Sequence, residues 1–198
     1  IQKYASLFGL DQKSGVEIEE MDPHVSDTDA VRSSIGQGTN NYAPVQLARY
    51  VTTIANEGNC YDLTLVNEIK NIDGRTVYKS DNVPKNTVDL TDSQWAVIKQ
   101  GMRQMVSEHT SPSALINQIN VNVAGKTGTA EEDTTRPDHA LFVSFAPYEN
   151  PEVSVTCVIP HGYTSGNAEE LAGMVYAYMY DPDKLDTLDI TGNNQMSD

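Results

Sequence analysis

Positive charge is scarce in this sequence. Thirteen Lys and Arg stand against 28 Asp and Glu, for a formal net charge of −15. A nucleic-acid binder needs a basic footprint to displace counterions from phosphates, so no nucleic-acid partner is expected. The excess acid reads as a solvated surface and names no partner by itself. Long apolar runs are missing as well, none approaching the ~20 residues that cross a bilayer. Ile1 to Phe8 lacks the charged head, apolar run and cleavage site of a signal peptide, and the chain does not open on Met. It reads as a piece of something longer. Cysteines number two, Cys60 and Cys157, without a Cys-x-x-Cys. Cys157 sits in an apolar strand pattern, so two buried free thiols are expected, with a disulfide as the alternative. His24, His109, His139 and His161 show no metal spacing and no His-Glu-x-x-His, so no metal or other cofactor is expected.

What is present suits one domain with a sizeable core: 198 residues, 38% of them apolar. Residues 1 to 33 read as the tail of a helix ending near Gly9, then irregular chain. Residues 44 to 57 read as a helix, with Pro44 at its first position and Gly58 as its stop. Leu47, Ala48, Val51, Ile54 and Ala55 form its apolar stripe. Leu65 to Ile72 and Arg75 to Tyr78 read as a hairpin about Asp73-Gly74, a type I′ signal. Thr91 to Gln94 spells a capping box. The helix it starts would turn Trp95, Ile98, Met102, Met105 and Val106 inward. Then the period changes. Val121 to Thr129, His139 to Ala146 and Val153 to Ile159 read as strands, the last two antiparallel because their connection is short. A helix over Ala168 to Tyr180 would face Leu171, Met174, Val175 and Tyr178 inward, and a polar tail runs from Asp183. Strands and helices without strict alternation predict an α+β fold, with helices packed on an antiparallel sheet.

The segment richest in chemistry is Val123-Ala124-Gly125-Lys126-Thr127-Gly128-Thr129-Ala130. Gly125-Lys126-Thr127 mimics the end of a phosphate-binding loop, but that loop needs a glycine where Asn120 stands and opens a helix. The alternative is the Lys-Thr-Gly element of serine acyl-transfer enzymes, which works with Ser-x-x-Lys and Ser-x-Asn motifs. Lys126 would bring positive charge to a substrate carboxylate and Thr127 a hydroxyl donor. Gly128 would let a substrate backbone lie against the strand, and the Thr129 N–H would face a developing oxyanion.

The surrounding segments make this more specific. Ile35-Gly36-Gln37-Gly38 followed by Ala43-Pro44-Val45-Gln46-Leu47-Ala48, then Ala124 to Glu131, then Asp138-His139-Ala140 through Pro147, resemble in order the transpeptidase domain of class B penicillin-binding proteins. Phe8-Gly9-Leu10 and Gly15 to Ile18 resemble the stretch that follows Ser-x-Asn in that family. The resemblance implies an antiparallel sheet flanked by helices with an active site beside an all-helical lobe. The fold would be incomplete here, residues 1 to 182 forming the C-terminal part of the domain and 183 to 198 a tail. It further implies a D,D-transpeptidase that cross-links peptidoglycan through a serine acyl-enzyme. Its partners would be stem peptides, β-lactam antibiotics and the upstream part of the same domain. A membrane-anchored parent would work on the outer face of the cytoplasmic membrane. Lys126, Thr127, Gly128 and Thr129 would bind substrate or β-lactam.

Departures from the family pattern are equally informative. No Ser is followed three residues later by Lys, so the nucleophile is absent from this chain. Ser80-Asp81-Asn82 and Ser165-Gly166-Asn167 spell Ser-x-Asn but lie after the Ile-Gly-Gln-Gly segment rather than before it, and read as local turns. Ala43 stands where the family has Thr or Ser, which costs a helix cap. Glu131-Glu132-Asp133 reads as a solvated loop. A β-lactamase, a D,D-carboxypeptidase and a non-catalytic β-lactam sensor are the alternative readings.

Overall fold

The computed structural model describes residues 1–108, 115–132 and 134–187. Two compact units divide the chain, Ile1–Asp89 and a second beginning at Leu90.

The first unit opens with α1 (Gln2–Leu7). Gly9, at φ 77°, takes the left-handed conformation that ends it. Irregular chain follows to a short helix that the sequence pattern did not reveal, α2 (Ala30–Ser34), whose Arg32 N–H donates to the Asp29 carboxylate. The predicted central helix is present as α3 (Pro44–Ala55), with Pro44 at its first turn. Ala43 gives no side-chain cap, as expected, yet half of a capping box survives: Gln46 Oε1 accepts from the Ala43 N–H at 2.9 Å. The inner face of α3 is more polar than its apolar stripe suggests, since Gln46, Arg49 and Thr53 are buried beside Val51 and Ile54. Their partners explain it. Gln46 donates to the Met21 carbonyl, Thr53 to Arg49 O, and Arg49 to the Gln12 carbonyl.

Beyond α3 come β1 (Asn59–Cys60), β2 (Glu68–Lys70), β3 (Thr76–Lys79) and β4 (Asn86–Thr87), paired as β1 with β4 and β2 with β3. The hairpin is real, but its turn is not type I′. That type needs positive φ at both central residues, whereas Gly74 alone has it here. Asn71 explains the difference. Its Oδ1 accepts from both the Asp73 and Arg75 amides, while Gly74 N–H donates to Asn71 O. The side chain thereby holds a longer turn whose glycine takes the left-handed position.

The second unit is a sheet packed on helices. Thr91 and Gln94 form the predicted capping box, Thr91 N–H donating to Gln94 Oε1 and Gln94 N–H to Thr91 Oγ1. It starts α4 (Asp92–Glu108), which buries Trp95, Met102 and Val106. Ile98 was expected inward and is exposed. Strands β5 (Ala124–Ala130), β6 (His139–Ala146) and β7 (Val153–Ile159) form an antiparallel sheet in that order. The last two match the expected spans, and the register runs from Ala146↔Val153 to Ala140↔Ile159. Residues 160–164 then turn into α5 (Ser165–Tyr180).

The inward face of α5 corrects the sequence reading. Leu171, Val175 and Tyr178 are exposed, and Ala168, Ala172, Gly173, Tyr176 and Ala177 are buried instead. Small residues let the helix lie close: a Cβ on Gly173 would stand 3.0 Å from Ile116. That face meets Phe142, Ala140, Ala146, Val155 and Cys157 of the sheet in one apolar core. Leu185, in a 3₁₀ turn over Pro182–Thr187, packs there too, so the fold continues past Asp183. Residues 188–198 lie outside the described residues. Both cysteines are buried free thiols, as expected.

Tyr176 gives this core a pH dependence. Its hydroxyl hydrogen-bonds Ser144 Oγ at 3.0 Å, and burial pushes the phenol far above its ordinary value. The folded state therefore holds the proton more tightly than the unfolded chain does. Stability contributed by this group is complete below the unfolded pKa of about 10 and falls as pH rises beyond it. Urea midpoints measured from neutral pH to about pH 11 should drop at the alkaline end, and Tyr176→Phe should flatten that drop.

Candidate active site

The Lys-Thr-Gly stretch occupies the middle of β5, a strand with β6 on one side and, among the described residues, no strand on the other. Every residue of β5 has a partner on β6, including Lys126↔Val143, Thr127↔Phe142, Gly128↔Leu141 and Thr129↔Ala140. Side chains alternate across a strand, so Lys126 and Gly128 share one face with Leu141 and Val143. Thr127 and Thr129 belong to the other, on which Phe142 packs toward α5. The expected binding residues thus lie together along one free edge, divided between its two faces. Lys126 is exposed and its Nζ donates to Thr127 O at 2.8 Å.

Two glycines in this strand serve different ends. A Cβ on Gly125 would stand 2.4 Å from Phe142 Cζ, closer than atoms can approach. Gly125 is therefore required by the core. A Cβ on Gly128 would meet Leu141 at 3.4 Å, an ordinary contact. Packing leaves Gly128 optional. Gly125→Ala is expected to cost about 1–3 kcal/mol through overpacking. Gly128→Ala should hold stability or raise it, since glycine within a strand costs about 0.5–1 kcal/mol relative to alanine. Urea denaturation of both variants checks the contrast.

The two stray Ser-x-Asn strings do local work. Ser80 follows β3 and its N–H donates to Asn67 O. Ser165 opens α5, with Thr164 Oγ1 accepting from the Gly166 N–H and Asn167 Nδ2 donating to Gly162 O at 2.8 Å. Arg103 of α4 steadies the entry to β5, donating to Val123 O and Asn122 Oδ1. Asn122 Nδ2 donates in turn to Glu149, a bond that holds the Glu149 carboxyl below its usual range.

One grouping escaped the sequence reading. Glu132, His139 and His161 each offer a ligand atom, all within 4.8 Å of one another. His139 Nε2 lies 3.3 Å from the Glu132 carboxylate, and the two imidazole centroids are 4.8 Å apart. The signal was present in the register. One step beyond Ala140↔Ile159, the β6–β7 hairpin brings His139 to Pro160, beside His161. His24 lies elsewhere, its Nε2 3.2 Å from Thr39 Oγ1. His109 and Asp133 are outside the described residues.

The family model for the penicillin-binding protein transpeptidase domain matches residues 1–178. The chain belongs to that family. Penicillin-binding protein 2B of Streptococcus pneumoniae is 31% identical over 170 residues, covering 78% of this chain and 25% of that protein. The peptidoglycan D,D-transpeptidase MrdA of Acinetobacter baumannii is 26% identical, covering 90% of this chain and 30% of its own length. The chain thus spans about a quarter of the curated relatives it matches. Among solved structures, an imipenem acyl-enzyme complex of penicillin-binding protein A from Mycobacterium tuberculosis has a TM-score of 0.76 at 25% identity, covering 88% of this chain and 40% of that one. Penicillin-binding protein 2B from S. pneumoniae strain R6 reaches the same TM-score at 27% identity, covering 96% and 33%. The class B resemblance read from the motifs and the α+β fold of antiparallel strands with helices are both borne out.

Proposed function

We propose that this chain is the C-terminal part of a D,D-transpeptidase domain that cross-links peptidoglycan, and that its nucleophilic serine belongs to a part of the protein outside these 198 residues. The observation that carries the reading is the family match over residues 1–178 with Lys-Thr-Gly on a free strand edge. An edge strand offers its outward N–H and C=O groups to an extended peptide, which adds to it as a further strand. A stem peptide laid along β5 would pass over Gly128, with Lys126 and Thr127 drawing its carboxylate. The Thr129 N–H would then stabilise the oxyanion formed as the serine attacks the D-Ala-D-Ala carbonyl. Collapse of that intermediate expels D-Ala and leaves an acyl-enzyme. The amine of a second stem peptide attacks the ester, forms the cross-link and returns the serine. β-Lactams would enter by the same edge and stop at the acyl stage.

Incompleteness of the domain has physical support. Neither outer edge of the β5-β6-β7 sheet is occupied by a strand among the described residues, and α5 leaves Leu171, Val175, Tyr178 and Met179 exposed. No helix among the described residues is long and apolar enough to cross a membrane. The place of action proposed for the parent is the outer face of the cytoplasmic membrane. Intact-mass measurement after exposure to benzylpenicillin tests the reading. An adduct on the full-length protein and none on this chain would support it. An adduct on this chain, or on neither, would overturn it.

A further inference from the structure

We propose that Glu132, His139 and His161 form a binding site for one divalent transition-metal ion of the zinc type. Two imidazoles and a carboxylate make the donor set that zinc takes, leaving a fourth position for water. The three residues come from three places around one end of the sheet. Glu132 follows the end of β5, His139 is the first residue of β6, and His161 stands in the turn after β7. Their ligand atoms already converge within 4.8 Å.

Hydrogen bonding decides which ring nitrogens face the ion. His161 Nδ1 lies 3.0 Å from the Pro137 carbonyl, which accepts only, so Nδ1 carries the proton. The lone pair of His161 is then on Nε2, the nitrogen left for a cation, and a backbone carbonyl behind the ring is the usual outer partner of a metal-binding histidine. His161 is also held in place by its neighbours: Gly162 N–H donates to Ile159 O and Tyr163 N–H to Asp138 O.

His139 is arranged differently. Its Nδ1 accepts the His161 backbone N–H at 3.0 Å, so the neutral ring carries its proton on Nε2, aimed at the Glu132 carboxylate 3.3 Å away. That proton sits where the ion would sit. On binding, the ring keeps one proton, which passes through solvent from Nε2 to Nδ1. Nε2 then faces the metal, and the bond from the His161 amide is given up. Metal binding thus carries a signature that a cluster held only by an ion pair would lack.

The site stands at the end of β5 just past the Lys-Thr-Gly stretch, with His139 pairing with Ala130 beside Thr129. His139 is four residues along β6 from Val143, the partner of Lys126, or roughly 13 Å. Metal binding here does not depend on whether β5 is a transpeptidase edge, and its assay reads no acylation.

The test is calorimetric titration of the chelator-treated chain with zinc sulfate near neutral pH, beside nitrogen-15 spectra of the histidine rings. One ion per chain in the micromolar range or tighter is expected. Glu132→Gln, at an exposed position, should weaken binding at least about tenfold, the loss that even an outer partner of a metal ligand brings. His161→Gln should abolish it, and His24→Gln should leave it unchanged. In the wild-type chain, zinc should move the His139 proton from Nε2 to Nδ1 and shift the His161 amide. The site is refuted by no binding heat, by binding that survives both Glu132→Gln and His161→Gln, or by a His139 ring that keeps its Nε2 proton when zinc is bound.

Discussion

Benzylpenicillin added in excess to the purified chain is expected to leave its intact mass unchanged, while the full-length protein gains one penicilloyl group. Opening a β-lactam requires a nucleophile with a base within hydrogen-bond reach. The chain's own hydroxyls are poorly placed for this. Ser165 begins a helix, and its neighbours Thr164 and Asn167 are bonded to the local backbone. Thr127 and Thr129 lie on β5 beside Lys126, whose Nζ donates to the Thr127 carbonyl. The thiols offer no substitute, since Cys60 is buried and burial raises the Cys157 pKa. Removing the nucleophile from a serine acyl-transfer site costs about 10⁶-fold in rate. Such a loss is no adduct at all on the scale of hours. A stoichiometric adduct on the chain alone would place a working nucleophile among these residues and move the active site away from β5.

How much of this was legible depended on the kind of signal. β6 and β7 were readable to the residue because apolar, β-branched runs bounded by a Pro-containing turn have one good interpretation. The start of α3 was equally plain, as Pro44 suits only the first turn. The inward face of α5 was not. Hydrophobic patterning gives weight to Leu171, Val175 and Tyr178, whereas the buried face is formed by the small residues Ala168, Ala172, Gly173 and Ala177 together with Tyr176. The hairpin turn failed for a related reason. Asp73-Gly74 signals one turn type, but the Asn71 side chain offers a competing set of hydrogen bonds and prevails. As for the site, Lys126 to Thr129 are contiguous and could be read as a string. Glu132, His139 and His161 are brought together only by strand register, and a search for local spacing does not find them.

Arg49→Leu is expected to destabilise the first unit by about 3–5 kcal/mol. The side chain is 1% exposed, and its guanidinium joins three separate stretches of chain. Nη1 donates to Asp62 Oδ1 at 3.2 Å, and Nη2 to Gln12 O at 2.7 Å and to the Gly9 carbonyl. A Cβ on Gly9 would stand 2.9 Å from the Arg49 guanidinium, so the turn after α1 is shaped around this group. Leucine would fill part of the volume and satisfy neither carbonyl. Each buried acceptor left without a donor costs about 1–3 kcal/mol. The ion pair itself contributes less, because Asp62 is half exposed and keeps Lys85 at 3.2 Å. Lys85→Ala removes the exposed cation from the same carboxylate and should cost at most about 1 kcal/mol. Urea midpoints, with hydrogen exchange of the α1 and α3 amides, separate the two contributions. A large loss confined to Arg49→Leu would assign the stability to the buried carbonyl contacts. Equal losses in both variants would assign it to the charge on Asp62, and the guanidinium would then be a surface ion pair that happens to be covered.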